Sequence, residues 1–322
     1  MNTSTSSTDK RLPRVVADGP LAPSILQLLE GQGEWLPWEV ALNGSQEPVD
    51  AIYTYGHPLV DGPLLDRLPG VKVISNFGVG VDHIRLAEAA ARGIPVGNTP
   101  GILDGATADM GFALLLATAR RLVEGDHYAR SPQFTHYDPS YMLGCEVHSS
   151  TLGIVGLGRI GRQVVQRAKG FGMTVIYHNR NRNPEWEAEL GVQYAPLDSL
   201  LMRSDFVMLT VPLTEQTTGL INRAALSKMK PTSILINIAR GPVVDTAALT
   251  EALQSGQIAG AGLDVTDPEP LPRNHPLLQL PNVVIAPHLG SATVQTRQRM
   301  AQLSVANLLA GLQGQRLAHQ VT

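Results

Sequence analysis

The segment GLGRIG, residues 156–161, stands between the apolar run TLGIV and the stretch RIGRQVVQRAKG, where apolar residues recur at helical spacing. A strand, a glycine turn and a helix in that order commit this part of the chain to a βα unit of a parallel sheet. Each glycine has a separate task. Gly156 permits the tight turn, Gly158 lets the backbone approach a pyrophosphate, and Gly161 lets helix and strand pack closely. The helix N-terminus then faces the phosphate charge. Gly156, Gly158, Arg159, Ile160 and Gly161 are therefore candidate contacts for a dinucleotide.

The same alternation runs on both sides of this unit. Before it come RVVADGP, DAIYTYG, KVISNFG and PVGNTPG, separated by helical patterns. After it come MTVIYHNR, SDFVMLTVP, SILINIAR, QIAGAGLDV and PNVVIAPH. Strands alternating with helices predict an α/β fold with parallel sheets covered on both faces. The segment DGATADMGFALLLATARRLV is read as one helix from Asp104 to Val123, with Asp104 as its cap. The final helical pattern, TVQTRQRMAQLSVANLLAGL, is long enough to return to the first half. The expected organisation is two Rossmann-like, doubly wound domains with an active-site cleft between them. Residues 1–101 with 294–322 would form one, its first twelve or so residues disordered, and residues 102–293 the other.

A length of 322 residues fits two such domains. The formal net charge of −3 leaves no basic excess for nucleic acid or an anionic membrane surface. The single cysteine, Cys145, precludes an internal disulfide and fits a reducing compartment. The polar start MNTSTSSTDKRLPR lacks the apolar core of a secretory signal, and MGFALLLATA is too short to span a bilayer. A cytoplasmic protein without a metal is the expectation.

In an NAD-preferring site a carboxylate at the end of the second strand binds the ribose 2′-hydroxyl. Here that place falls at Asn179, and nothing acidic occurs between Met173 and Pro184. Arg180 and Arg182 follow instead. A carboxylate would repel a 2′-phosphate, whereas a guanidinium pairs with it through charge-assisted hydrogen bonds. Asn179 and Arg180 thus point to NADPH as the preferred cofactor, with NADH left open.

Three apolar strands of the second half end in polar residues: Arg240 in INIARGPVVD, Asp264 and Glu269 in GLDVTDPEP, and His288 in APHLGSAT. Ligands of open α/β sheets bind at the carboxyl ends of strands, so these residues converge on one crevice. Arg240 suits a carboxylate, and a histidine beside a glutamate is a standard acid–base pair.

Together with SNFGVGVDHI, NTPGILDGATAD, LGIVGLGRIG and NHPLL, these segments resemble the D-2-hydroxyacid dehydrogenase family from about Ala51 to Gly314. The likeness is greatest to its glyoxylate/hydroxypyruvate reductase branch, with 2-ketogluconate reductases near it. The resemblance implies that His288 is the general acid for the ketone oxygen and that Glu269 holds it. It implies that Arg240, with the amides of Val79 and Gly80, binds the substrate carboxylate. It places Asp264, Thr107, Ile238 and Gly290 around the nicotinamide, and Val211 and Pro212 over the adenosine. Ser291 and the Tyr55–His57 segment would edge the substrate pocket. A homodimer through the coenzyme domains is implied as well. In that branch a tryptophan reaches across the dimer, and Tyr141 is the residue here that aligns best with it.

The expected activity is NADPH-dependent reduction of small 2-ketoacids, glyoxylate and hydroxypyruvate, to D-2-hydroxy acids. A 2-ketogluconate reductase is the alternative enzyme, and a corepressor-like protein that senses NAD(H) is the alternative of another class.

Overall fold

The computed structural model describes residues 11–322; most of the expected disordered start lies outside them. Contacts divide the chain into two units: the chain up to Ile102 together with Val294–Thr322, and Leu103–Thr293.

The first unit carries five parallel strands: β1 (Arg14–Ala17), β2 (Glu34–Pro37), β3 (Ala51–Thr54), β4 (Val73–Asn76) and β5 (Val96–Gly97), in the order β2-β1-β3-β4-β5. Four of them match the apolar runs of the sequence. The fifth, β2, reads EWLP; it is an edge strand that ends at a proline and is nowhere fully buried, so it carries neither alternation nor an apolar run. The helix Val294–Leu312 packs on β3, β4 and β5, anchored where the Tyr53 hydroxyl meets Ser304 Oγ at 2.7 Å within the core. Burial pushes the Tyr53 phenol well above its ordinary range, so it stays a neutral partner there. The chain then closes the open edge of β5, with Val321 N–H donating to Val96 O at 2.8 Å.

The second unit has seven parallel strands: β6 (Thr151–Val155), β7 (Thr174–His178), β8 (Gln193–Tyr194), β9 (Phe206–Leu209), β10 (Ile234–Asn237), β11 (Gly260–Leu263) and β12 (Val283–Ile285). Their order, β12-β11-β10-β9-β6-β7-β8, reverses direction between β6 and β9, which places a switch point beside the glycine turn. Alternate residues feed separate cores. Val155, Val207 and Leu235 face one layer, while Ile154, Met208 and Ile236 face the other. Burial on both faces is why these strands read as continuous apolar runs. The sequence reading lacked β8, whose two residues are too few to show any period.

The helix expected over Asp104–Val123 is two helices. The first ends at Ala119; Arg121 takes a left-handed conformation at φ +51°, and a second helix runs Leu122–Ala129. Asp104 does not cap. It is the first helical residue, and Leu103 holds the capping position without a side-chain bond.

Candidate active site

The glycine turn follows β6 directly. Gly156 sits at φ +105°, and a Cβ there would lie 2.8 Å from Val211 N, so only glycine fits between β6 and the loop after β9. Thr210 Oγ1 donates to Gly156 O at 2.6 Å and holds that loop in place. Gly158 begins the helix Arg159–Gly170, and a Cβ on it would meet nothing within 4 Å. The first amides of a helix lack intrahelical partners, and here no side chain caps them. They open onto a cavity of about 620 Å³ lined by Gly156, Gly158, Asn179, Arg180, Val211 and Pro212. A backbone cradle, free helix amides and this volume fit a dinucleotide. Arg159 and Ile160 occupy the first turn of that helix, next to the cradle.

At the end of β7 the residues behave differently from one another. Asn179 Oδ1 accepts the Leu157 N–H at 2.6 Å, tying the strand end to the glycine turn. Arg182 is committed: Nε and Nη2 each reach the Glu187 carboxylate at 2.8 Å. Arg180 is exposed and makes no hydrogen bond or ion pair among the described residues.

The second half of the site forms at the ends of β10, β11 and β12. Asn237, 1% exposed, folds the turn that carries Arg240: its Oδ1 accepts the Ala239 N–H at 3.0 Å and its Nδ2 donates to Arg240 O at 2.9 Å. Arg240 is half-buried, with Nη1 on Ala239 O at 2.9 Å. Gly241 then passes so near the next loop that a Cβ would lie 1.9 Å from Thr266 O.

Asp264, 2% exposed, organises the β12 turn: its two oxygens accept the amides of Leu289 and Gly290 at 2.7 and 2.8 Å, and its carbonyl accepts His288 N–H. Burial pushes this carboxyl up, against the pull of those two amides and of His288. Thr107 and Asp264 both lie close to Gly290: a Cβ on Gly290 would lie 3.0 Å from Asp264 Oδ2 and 3.3 Å from Thr107 Cγ2. Ile238 is 6% exposed and packs in the layer with Phe112 and Met208. Ser291 follows in the same turn and is half-buried.

His288 itself lies at φ +57°, and its Nδ1 stands 2.7 Å from Glu269 Oε1. The other Glu269 oxygen accepts the Thr266 N–H at 3.2 Å. The carboxylate is thus held at one oxygen and presents the other to the ring, which fixes the orientation of the histidine through its Nδ1.

In the first unit, Val79 and Gly80 form the turn after β4. The buried Asn76 donates to the carbonyls of Gly78 and Gly80 at 2.8 and 2.9 Å, and Asn98 Nδ2 donates to Val79 O at 2.9 Å. With its carbonyls engaged, the turn leaves the amides of Val79 and Gly80 without partners among the described residues. Tyr55 packs on Phe77 beside this turn, ring centroids 4.9 Å apart. Sequence reasoning missed Asn76 and Asn237, though each is marked by an asparagine ending an apolar strand (VISN, ILIN).

Tyr141 lies in a loop of the second unit, half exposed, with its ring 4.9 Å from Tyr128. Leu122, Tyr137 and Leu143 are also exposed in this part of the chain. Burial pushes the Cys145 thiol up, so it is no activated nucleophile. Among the described residues no group of His, Cys, Asp or Glu could hold a metal ion, and no helix is long and apolar enough to cross a membrane.

Residues 112–290 match the family model for the NAD-binding domain of D-isomer specific 2-hydroxyacid dehydrogenases. The chain belongs to that family. It is accordingly a nicotinamide-dependent dehydrogenase that interconverts 2-ketoacids and 2-hydroxyacids. A glyoxylate reductase of Thermococcus onnurineus is 46% identical over 94% of each chain. One from Pyrococcus furiosus is 45% identical over 94% of this chain and 93% of that one. Among solved structures, an NADPH-dependent glyoxylate/hydroxypyruvate reductase of Sinorhizobium meliloti, in complex with NADP and malonate, superposes with a TM-score of 0.88 at 36% identity, covering 96% of this chain and 97% of the other.

Proposed function

We propose that the protein is an NADPH-dependent reductase of small 2-ketoacids, glyoxylate and hydroxypyruvate foremost, giving D-2-hydroxy acids. The observation that carries the reading is the Glu269–His288 pair, set beside the Arg240 turn in the same unit as the glycine cradle. The names of the relatives support the substrate class.

When bound, the nicotinamide supplies the hydride that becomes the hydrogen on C2 of the product. The chain supplies everything else. Arg240 takes the ketoacid carboxylate and concentrates positive charge where the ketone oxygen becomes an alkoxide. In the first unit the free amides of Val79 and Gly80 are matching donors for a carboxylate. His288, held at Nδ1 by Glu269, gives its Nε2 proton to that oxygen and remains bonded to Glu269 as a neutral ring. Asp264, Thr107, Ile238 and Gly290 shape the nicotinamide end, Val211 and Pro212 cover the adenosine, and Ser291 edges the substrate.

The preference for NADPH rests on Arg180, an uncommitted guanidinium at a cavity edge that holds no carboxylate free to take a ribose 2′-hydroxyl. The exposed apolar residues Leu122, Tyr137, Tyr141 and Leu143 suit a homodimer formed through this unit, with Tyr141 contributing to the partner's substrate pocket.

Initial rates with glyoxylate, hydroxypyruvate and 2-ketogluconate, each with NADPH and with NADH, test the reading. A higher kcat/KM for the small acids with NADPH, lost in Arg180→Ala, supports it. Equal rates with NADH remove the cofactor assignment, and preference for 2-ketogluconate removes the substrate assignment.

A further inference from the structure

The loop between β7 and the helix Pro184–Leu190 is pinned at both ends. At its start, Asn179 accepts the Leu157 amide. At its end, the fully buried Tyr177 sends its hydroxyl up from β7 between two partners: it accepts the Asn183 N–H and donates to Glu187 Oε1, both at 2.9 Å. Glu187 then engages Arg182 through both carboxylate oxygens, and Asn183 Oδ1 caps the helix through the Trp186 N–H at 3.0 Å. The helix is itself braced from outside, since Arg162 Cζ stands 4.9 Å above the Trp186 ring. The hydrogen bonds from Arg182 lower the Glu187 carboxyl from its ordinary value, which favours the ionised form of the latch.

Two arginines stand two residues apart on the same cavity rim, and the latch treats them oppositely. A bidentate guanidinium–carboxylate pair uses the same fork of donors that a phosphate would need, so Arg182 cannot serve both. An exposed ion pair alone contributes little, but this one is seated on a buried tyrosine hydroxyl, which fixes its position. Arg180 and Asn181 are the only loop residues left between the two pins.

We propose that Glu187 is a positioning residue for cofactor choice. By holding Arg182 against Tyr177 it fixes the loop, so that Arg180 alone is presented to the 2′-phosphate. This rests on the NADPH reading above.

The test uses the full chain and two adenosine probes, 2′,5′-ADP and 5′-AMP, with dissociation constants from titration calorimetry. Their ratio isolates the 2′-phosphate. Wild type should favour 2′,5′-ADP by about tenfold or more, and Arg180→Ala should bring the ratio near one. Glu187→Gln should lower the ratio by roughly threefold or more, as should Arg182→Ala. The double variant should be no worse than either single one, because both break the same latch. Tyr177→Phe should move the ratio in the same direction. A wild-type ratio near one sinks the NADPH reading and this proposal with it. A large wild-type ratio that falls in Arg180→Ala but not in Glu187→Gln overturns the proposal alone. So does a ratio that rises in Glu187→Gln and falls again with Arg182→Ala, since Arg182 would then be a phosphate ligand that Glu187 restrains.

Discussion

Glu269 Oε1 stands 2.7 Å from His288 Nδ1, at a histidine whose backbone is left-handed. That conformation is uncommon for any residue other than glycine, though histidine tolerates it better than most. It is imposed by Asp264, which takes the amides of the two following residues on its carboxylate and the His288 amide on its carbonyl. The imidazole is therefore aimed from two sides, by Asp264 through the backbone and by Glu269 through the ring.

If His288 delivers the proton, His288→Gln lowers kcat by about 10²- to 10⁴-fold. Glu269→Gln, which keeps the shape but loses the charge, should cost less in kcat. The KM for NADPH should stay near wild type in both. Steady-state kinetics with hydroxypyruvate checks the order of the two effects.

Gly241 is where the Arg240 turn and the Glu269 loop come closest. A Cβ there would lie 1.9 Å from Thr266 O, a backbone atom that cannot swing aside. Gly241→Ala should therefore separate Arg240 from Glu269, lowering kcat together with about 1–3 kcal/mol of stability. Urea unfolding and turnover on the same sample measure both. A stable, fully active variant would contradict the packing.

Asp50 ties the first unit together. Burial pushes its carboxyl up, but the Arg14 amide and the Lys72 and Arg11 side chains outweigh that and hold it below its ordinary 3.8. A carboxyl depressed in the folded state stabilises the fold above its unfolded value and loses that contribution as pH falls through the folded one. Asp50→Asn should thus melt earlier than wild type at neutral pH, by an amount on the order of 1–2 kcal/mol. The gap should close as pH drops below 3.8. Thermal melts across that range decide it.

Leu143 is 72% exposed and Tyr137 80% exposed. If they lie in a dimer interface, Leu143→Glu shifts the protein towards monomer in sedimentation velocity. Wild type sedimenting as a monomer would end the dimer assignment.

Much of the architecture was readable in the chain. Parallel strands buried on both faces announce themselves as apolar runs, and the glycine turn located the cradle because GLGRIG needs no distant partner to be interpreted. Arg240, Asp264, Glu269 and His288 could be named because each follows an apolar strand of one sheet, and strand ends meet on one side. The short edge strands β2 and β8 escaped, since two to four half-exposed residues carry no period. The break at Arg121 escaped too, because its helical composition runs on through a residue that turns left-handed.

By itself, then, the sequence determined the order of βα units, the cradle and the identities of the polar residues at the strand ends, all properties of neighbours along the chain. It singled out Arg180 but could not show that Arg182 is held by Glu187, nor that Asn76 and Asn237 shape the turns that carry Val79, Gly80 and Arg240. Those assignments depend on which groups share hydrogen bonds once the backbone has curled. Arg182 is spoken for because the helix after it sets Glu187 within 2.8 Å, while Arg180 makes no bond among the described residues. Only the folded chain decides how a donor is spent.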